Sequence, residues 1–102
     1  MWELNEQRAK YLLYKDYVKK RTEQNVKRFY VENIELRGRK HGYQLDHKYS
    51  IRQGFDDGMP PDMIAHPCNL ICVPTEYNLK KGSKNSITFE ELLEDINDHD
   101  NL

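Results

Sequence analysis

Between Glu6 and Tyr30 the chain contains neither glycine nor proline, and Tyr14, Val18, Val26, Phe29 and Tyr30 fall at helical spacings, with Thr22 continuing the four-residue row between Val18 and Val26. This pattern commits the segment to one long helix, or to two with a break near Thr22. Its other faces carry Lys10, Lys15, Lys19, Lys20, Arg21, Lys27 and Arg28, so one side can dock on a core while another faces an anionic partner. A chain of 102 residues builds one small core and no second domain. The remaining segments must therefore supply the surface on which the helix docks.

Charge is divided unevenly along the chain. Residues 1–52 carry 13 Lys/Arg against 7 Asp/Glu, and residues 53–102 carry 3 against 10, although the net charge is only −1. The basic first half matches the electrostatic footprint of nucleic-acid binding, and equally that of a solvated helix face. Hydrophobic content of 37% beside 32% charged residues suits a compact domain with a very polar surface. No apolar run reaches the ~18 residues of a membrane span, and the first residues lack a basic and then apolar leader, so a cytoplasmic location is expected. Cys68 and Cys72 are expected to be free thiols on one face of a strand.

Three segments follow in order: a helical, basic segment over 1–40, a core over 41–82, and a helix with an acidic tail over 83–102. The glycine-punctuated run Arg37-Gly38-Arg39-Lys40-His41-Gly42 ends the helical region. Tyr43, Leu45 and His47 then alternate with Gln44, Asp46 and Lys48, which predicts a strand with Asp46 and His47 on opposite faces unless a bulge re-aims one. Residues 52–67 read as a long connection with room for a turn of helix at 62–65. Residues 69–73 predict a short buried strand stopped at Pro74, making an antiparallel hairpin with the first. Thr75 predicts the cap of a helix over 76–81, with Gly82 left-handed after it. Thr88-Phe89-Glu90-Glu91 is a capping box opening a last helix through Leu92, Leu93 and Ile96, with a frayed tail over 97–102.

The order of an Asp-His strand, an Asn-Leu after a loop, a second strand and a helix with Asn before Lys resembles the HNH endonucleases. Leu45-Asp46-His47-Lys48-Tyr49-Ser50-Ile51, Gly54-Phe55, Pro61, Asn69-Leu70, Asn78-x-x-Lys81 and Ser86-Ile87 are similar to the small HNH enzymes of T-even-type bacteriophages, many of them homing endonucleases. Tyr14-x-x-x-Val18-x-x-x-Thr22 also fits that group. The resemblance implies an α+β fold: a ββα-metal core of an antiparallel hairpin plus helix, a long N-terminal helical segment and a short C-terminal helix. It implies DNA as partner, a nuclease or nickase activity, and a host-cell cytoplasmic location if the chain is phage-encoded. His47 would be the general base, Asp46 and Asn78 the metal ligands, and Asn69 the residue that fixes the loop and the base.

Those residue types suit the chemistry. Imidazole, with an ordinary pKa near ~6.5, can take a proton from water near neutrality. An Asp carboxylate and an Asn amide are oxygen ligands for a hard ion, Mg²⁺ or Mn²⁺. Arg37, Arg39, Lys40, Lys48, Arg52, His66, Lys80, Lys81 and Lys84 are candidates to hold the nucleic-acid backbone. Each has a plain rival reading: a strand histidine, a turn-capping or surface asparagine, an incidental loop histidine.

The paired CxxC motifs that hold zinc in many HNH proteins are absent from this chain. His66, Cys68, Cys72 and His99 could nominally supply four zinc ligands, but their spacing fits no usual site, so no structural zinc is expected. Tyr14, Phe29, Tyr30, Leu92, Leu93 and Ile96 are expected to provide the apolar cover instead. No sequence-reading module is recognisable, which leaves specificity to the first helix, a homodimer or a protein partner. The competing reading is a non-catalytic HNH-like binding module, or an acidic DNA-mimic partner protein. RNA is also a possible substrate, because such a site reads a phosphodiester.

Overall fold

The computed structural model describes residues 2–101, and side chains from residue 5 onward. The fold is α+β: a long N-terminal helix, a two-stranded antiparallel hairpin and a short C-terminal helix. Helix α1 (Trp2–Arg28) runs without a break through Thr22. Its buried row is narrow and mostly polar: Val18, Thr22 and Asn25 are 0%, 1% and 7% exposed. Polar groups on a docked face must find partners. Tyr14 Oη donates to Met59 O at 3.0 Å, Thr22 Oγ1 lies 3.0 Å from His47 Nε2, and Asn25 Nδ2 donates to Ala65 O at 2.8 Å. The helix stops at Arg28, so Phe29 and Tyr30 fall outside the docked row and stay exposed, contrary to the cover expected of them.

Strands β1 (Tyr43–His47) and β2 (Leu70–Pro74) pair antiparallel, one residue opposite one, from Tyr43↔Pro74 to His47↔Leu70. The chain leaving α1 runs beside the other edge of β2, where Cys72 N donates to Glu32 O at 2.9 Å. Between the strands the supposed loop is mostly helical, in α2 (Ile51–Asp56) and α3 (Pro61–Ile64). Ser50 caps α2 by accepting from Gln53 N, and Pro61 opens α3 at the position where a missing N–H is harmless. A turn of 3₁₀ helix over Pro67–Asn69 leads into β2. Cys68 therefore lies in that turn, not in the strand.

Helix α4 (Thr75–Lys81) begins directly after β2, with Pro74 as its cap residue and Thr75 already inside it. Gly82 follows at φ 57° and ψ −130°, a positive φ as expected but outside the left-handed helical basin. Helix α5 (Phe89–Asp100) opens on the Thr88/Glu91 capping box and stays helical through most of the tail expected to fray. The core lies between α1, the α2–α3 segment and α5, with Val18, Tyr49, Met59, Ile64, Ala65 and Leu92 buried together. Among the described residues no helix is long and apolar enough to cross a membrane.

Candidate functional site

The one-to-one register sends Asp46 and His47 to opposite faces of the hairpin, with no bulge to bring them together. His47 faces α1, where Nε2 meets Thr22 Oγ1. Burial, helped by Lys81 and Lys19, pushes its imidazole down to about 4, so the ring is neutral at neutral pH. Asp46 faces α4 and is 7% exposed. Its Oδ1 lies 3.3 Å from Lys81 Nζ, which also donates to His47 O at 3.0 Å. Asp46 Oδ2 is buried and has no partner among the described residues. Burial raises the carboxyl above its ordinary value despite the neighbouring ammonium.

Asn69 sits where the long connection meets β2, fully buried. Its Oδ1 accepts from Tyr49 N at 2.7 Å, and its Nδ2 donates to Tyr49 O at 3.0 Å and Ile64 O at 2.8 Å. Its own carbonyl accepts from Lys48 N at 2.8 Å. One amide thus ties the residues just after His47 to the end of α3. Asparagine suits this position because only a side-chain amide offers an acceptor and two donors together.

Asn78 lies three residues before Lys81 on α4 and is partly buried, so the two are neighbours on one side of that helix. Beside Asp46 a groove is lined by Lys48, Ile71, Val73, Tyr77, Ile87 and Glu91. Asp46, Lys81 and Lys48 are brought into this corner, with Asn78 on the adjoining helix, and His47 points away from it.

The other basic candidates are scattered. Lys81 is buried against Asp46, a partner that spacing alone did not reveal. Arg37 is held by Glu23 through contacts of 3.0 and 2.7 Å. Arg52 pairs with Asp56 at 3.2 Å and lies over the Tyr11 ring at 4.7 Å. Arg39 and Lys40 are exposed in the turn before β1, and Lys80 and Lys84 are exposed at the end of α4 and just after it.

His66 belongs to a different group. Its Nε2 lies 3.0 Å from Asp100 Oδ1, and His99 Nδ1 lies 3.1 Å from the same oxygen. One ligand atom each from His66, Cys68 and His99 falls within 4.8 Å of the others. Cys72, the nominal fourth member, is buried in β2 and is not part of this cluster. Spacing argues against these residues as a site, because the C-terminal turn of α5 supplies His99 from 31 residues beyond Cys68. Neither thiol is in a disulfide.

Comparison with protein-family models, with curated proteins and with solved structures finds no match for the chain.

Proposed function

We propose that the chain is a metal-dependent endonuclease or nickase of the ββα-metal type, acting on DNA phosphodiester bonds. The observation that carries this reading is the corner between β1, β2 and α4, where a buried Asp46 oxygen lacks any partner among the described residues. A free carboxylate oxygen beside a helix carrying the Asn78 amide is a hard-oxygen donor set suited to Mg²⁺ or Mn²⁺. Such an ion, when bound, supplies charge neutralisation on the phosphate and the departing oxygen. Lys81 keeps Asp46 ionisable in its buried position by supplying a counter-charge.

His47 is the base that accepts the proton of the attacking water. A neutral imidazole at neutral pH has the lone pair that this step requires. Its Nε2 is engaged with Thr22, so turnover needs the end of β1 to swing His47 off α1 toward the groove. Asn69 holds Tyr49, two residues beyond His47, in place. Lys48 and Lys80 hold the flanking phosphates, with the basic faces of α1 adding sequence-independent attraction that weakens with salt.

A second reading, a binding module without turnover, draws on the opposite-face placement of Asp46 and His47. Incubating supercoiled plasmid with the purified chain and Mg²⁺ or Mn²⁺ separates the two. The nuclease reading expects nicking that EDTA stops, and loss of ~10²–10⁴-fold in rate for His47→Ala with DNA binding retained. DNA binding without nicking in either metal rejects it in favour of the module.

A further inference from the structure

We propose that His66, Cys68 and His99 form a structural site for a divalent ion of zinc type, separate from the Asp46 corner and independent of the nuclease reading. The three residues come from two elements that pack against each other. His66 and Cys68 flank Pro67 in the turn entering β2, and His99 lies in the last turn of α5. Their ligand atoms already lie within 4.8 Å of one another. The two imidazoles stand nearly perpendicular, 83° apart with centroids at 5.0 Å, so they can point at a common centre without stacking.

One sulfur with two ring nitrogens is a borderline-soft donor set, the type zinc takes in preference to Mg²⁺ or Ca²⁺. Zinc holds sulfur at ~2.3 Å and nitrogen at ~2.0–2.1 Å, so loading draws the cluster inward by rotation of side chains. Asp100 Oδ1 contacts both rings but is not in the group of mutually close ligand atoms, so water would fill the fourth position. His66 is 14% exposed at its side chain and His99 35%, so the site is reachable from solvent yet partly shielded.

The ion-free arrangement reads as a holding state for the same groups. Cys68 N donates to His66 Nδ1 at 3.1 Å, and the Cys68 thiol donates to Asp95 O at 3.5 Å. Coordination through His66 Nε2 places the ring proton on Nδ1 and releases both the Cys68 N–H bond and the contact with Asp100 Oδ1. The thiol gives up its proton to solvent as the metal–sulfur bond forms. Each ion bound therefore releases one proton from sulfur, and the imidazoles bind as neutral rings. The effect is to fasten α5 to the turn that ends at Asn69, the residue that positions the end of β1.

Titrating the EDTA-treated 102-residue chain with Co²⁺ and with Zn²⁺ tests the site. Co²⁺ should give a near-ultraviolet thiolate charge-transfer band with the visible bands of tetrahedral cobalt, saturating at one equivalent. Zn²⁺ should bleach it and raise Tm by roughly 10 °C at a hundredfold excess over Kd. Cys68→Ser should abolish the charge-transfer band, and His99→Ala should weaken affinity by more than the ~10–100-fold that losing an outer partner costs. Cys72→Ala should leave both readouts unchanged. Absence of the band in the wild-type protein, its survival in Cys68→Ser, or its loss in Cys72→Ala alone overturns the proposal. If Cys68→Ser fails to fold, as judged by far-ultraviolet circular dichroism, the wild-type band and the His99→Ala affinity decide it.

Discussion

Replacing Asn69 by aspartate should damage the protein as much as replacing it by alanine, although aspartate matches its shape. Asn69→Ala removes three hydrogen bonds, to Tyr49 N, Tyr49 O and Ile64 O. Each is worth ~1 kcal/mol net, and each backbone group left buried and unpaired adds ~1–3 kcal/mol. Allowing for partial relaxation, the loss is about 3–6 kcal/mol, a large share of the ~5–15 kcal/mol that holds a domain of this size. Asn69→Asp keeps the bond from Tyr49 N but turns an oxygen toward two carbonyl oxygens at 3.0 and 2.8 Å. An ionised carboxylate there is repelled and desolvated, so at pH 7 the variant should be no more stable than alanine. Below the carboxyl pKa the protonated side chain donates to one carbonyl, and Asp should then overtake Ala. Urea unfolding followed by circular dichroism at pH 7 and pH 4 measures both differences. An Asp variant within ~1 kcal/mol of wild type at pH 7 would show that Asn69 merely fills space.

Three further outcomes follow from the packing. His47 titrates at about 4 in the folded chain against an ordinary 6.5, so unfolded chains bind more protons between those values. Its contribution is complete above pH 6.5 and is lost as pH falls toward 4, about 3 kcal/mol at 1.36 kcal/mol per pH unit. Stability differences between wild type and His47→Gln across that range isolate it from Asp46, whose raised pKa acts in the opposite direction, and a flat difference refutes it. Gly54→Ala should cost about 1–3 kcal/mol, because its Cβ would lie 2.6 Å from two Ile64 atoms and 2.9 Å from Tyr14 Oη. Adding Ile64→Val should recover part of that loss in thermal melts. Lys81→Met strands the Asp46 carboxylate and should cost ~3–5 kcal/mol, most of it restored by Asp46→Asn in the double variant. A single-variant loss below ~1 kcal/mol would mean the pair is solvated.

Elements with a strong local signal were legible before the coordinates. The Gly- and Pro-free run became α1, the period-2 alternation became β1, and the Thr88/Glu91 box opened α5. Helix α2 was missed because Gly54, Asp56, Asp57 and Gly58 read as turn residues, yet Ser50 with Gln53 three places on carried a capping signal. Gly54 is there for contact with Ile64, not for a turn. At the site, alternation correctly separated Asp46 from His47. The partners Lys81 and Thr22 stayed hidden because they reach those residues from other elements across 35 and 25 positions, distances at which no periodicity speaks. His66, Cys68 and His99 are legible, with Cys72, as nominal zinc ligands whose spacing argues against a site; the path of α5 brings the first three together and leaves Cys72 out.

A helix docked by a row of leucines can slide by one turn and still find similar neighbours. Helix α1 has no such freedom. Tyr14, Thr22 and Asn25 each meet a different element, and each bond is directional. The helix thus acts as a ruler, its polar marks fixing where the α2–α3 segment and the end of β1 lie along its length. Four residues inserted between Tyr14 and Thr22 would preserve the helical face and the apolar content, yet leave the marks unable to register together. The same insertion before Tyr11 would lengthen the helix and leave these three marks in register.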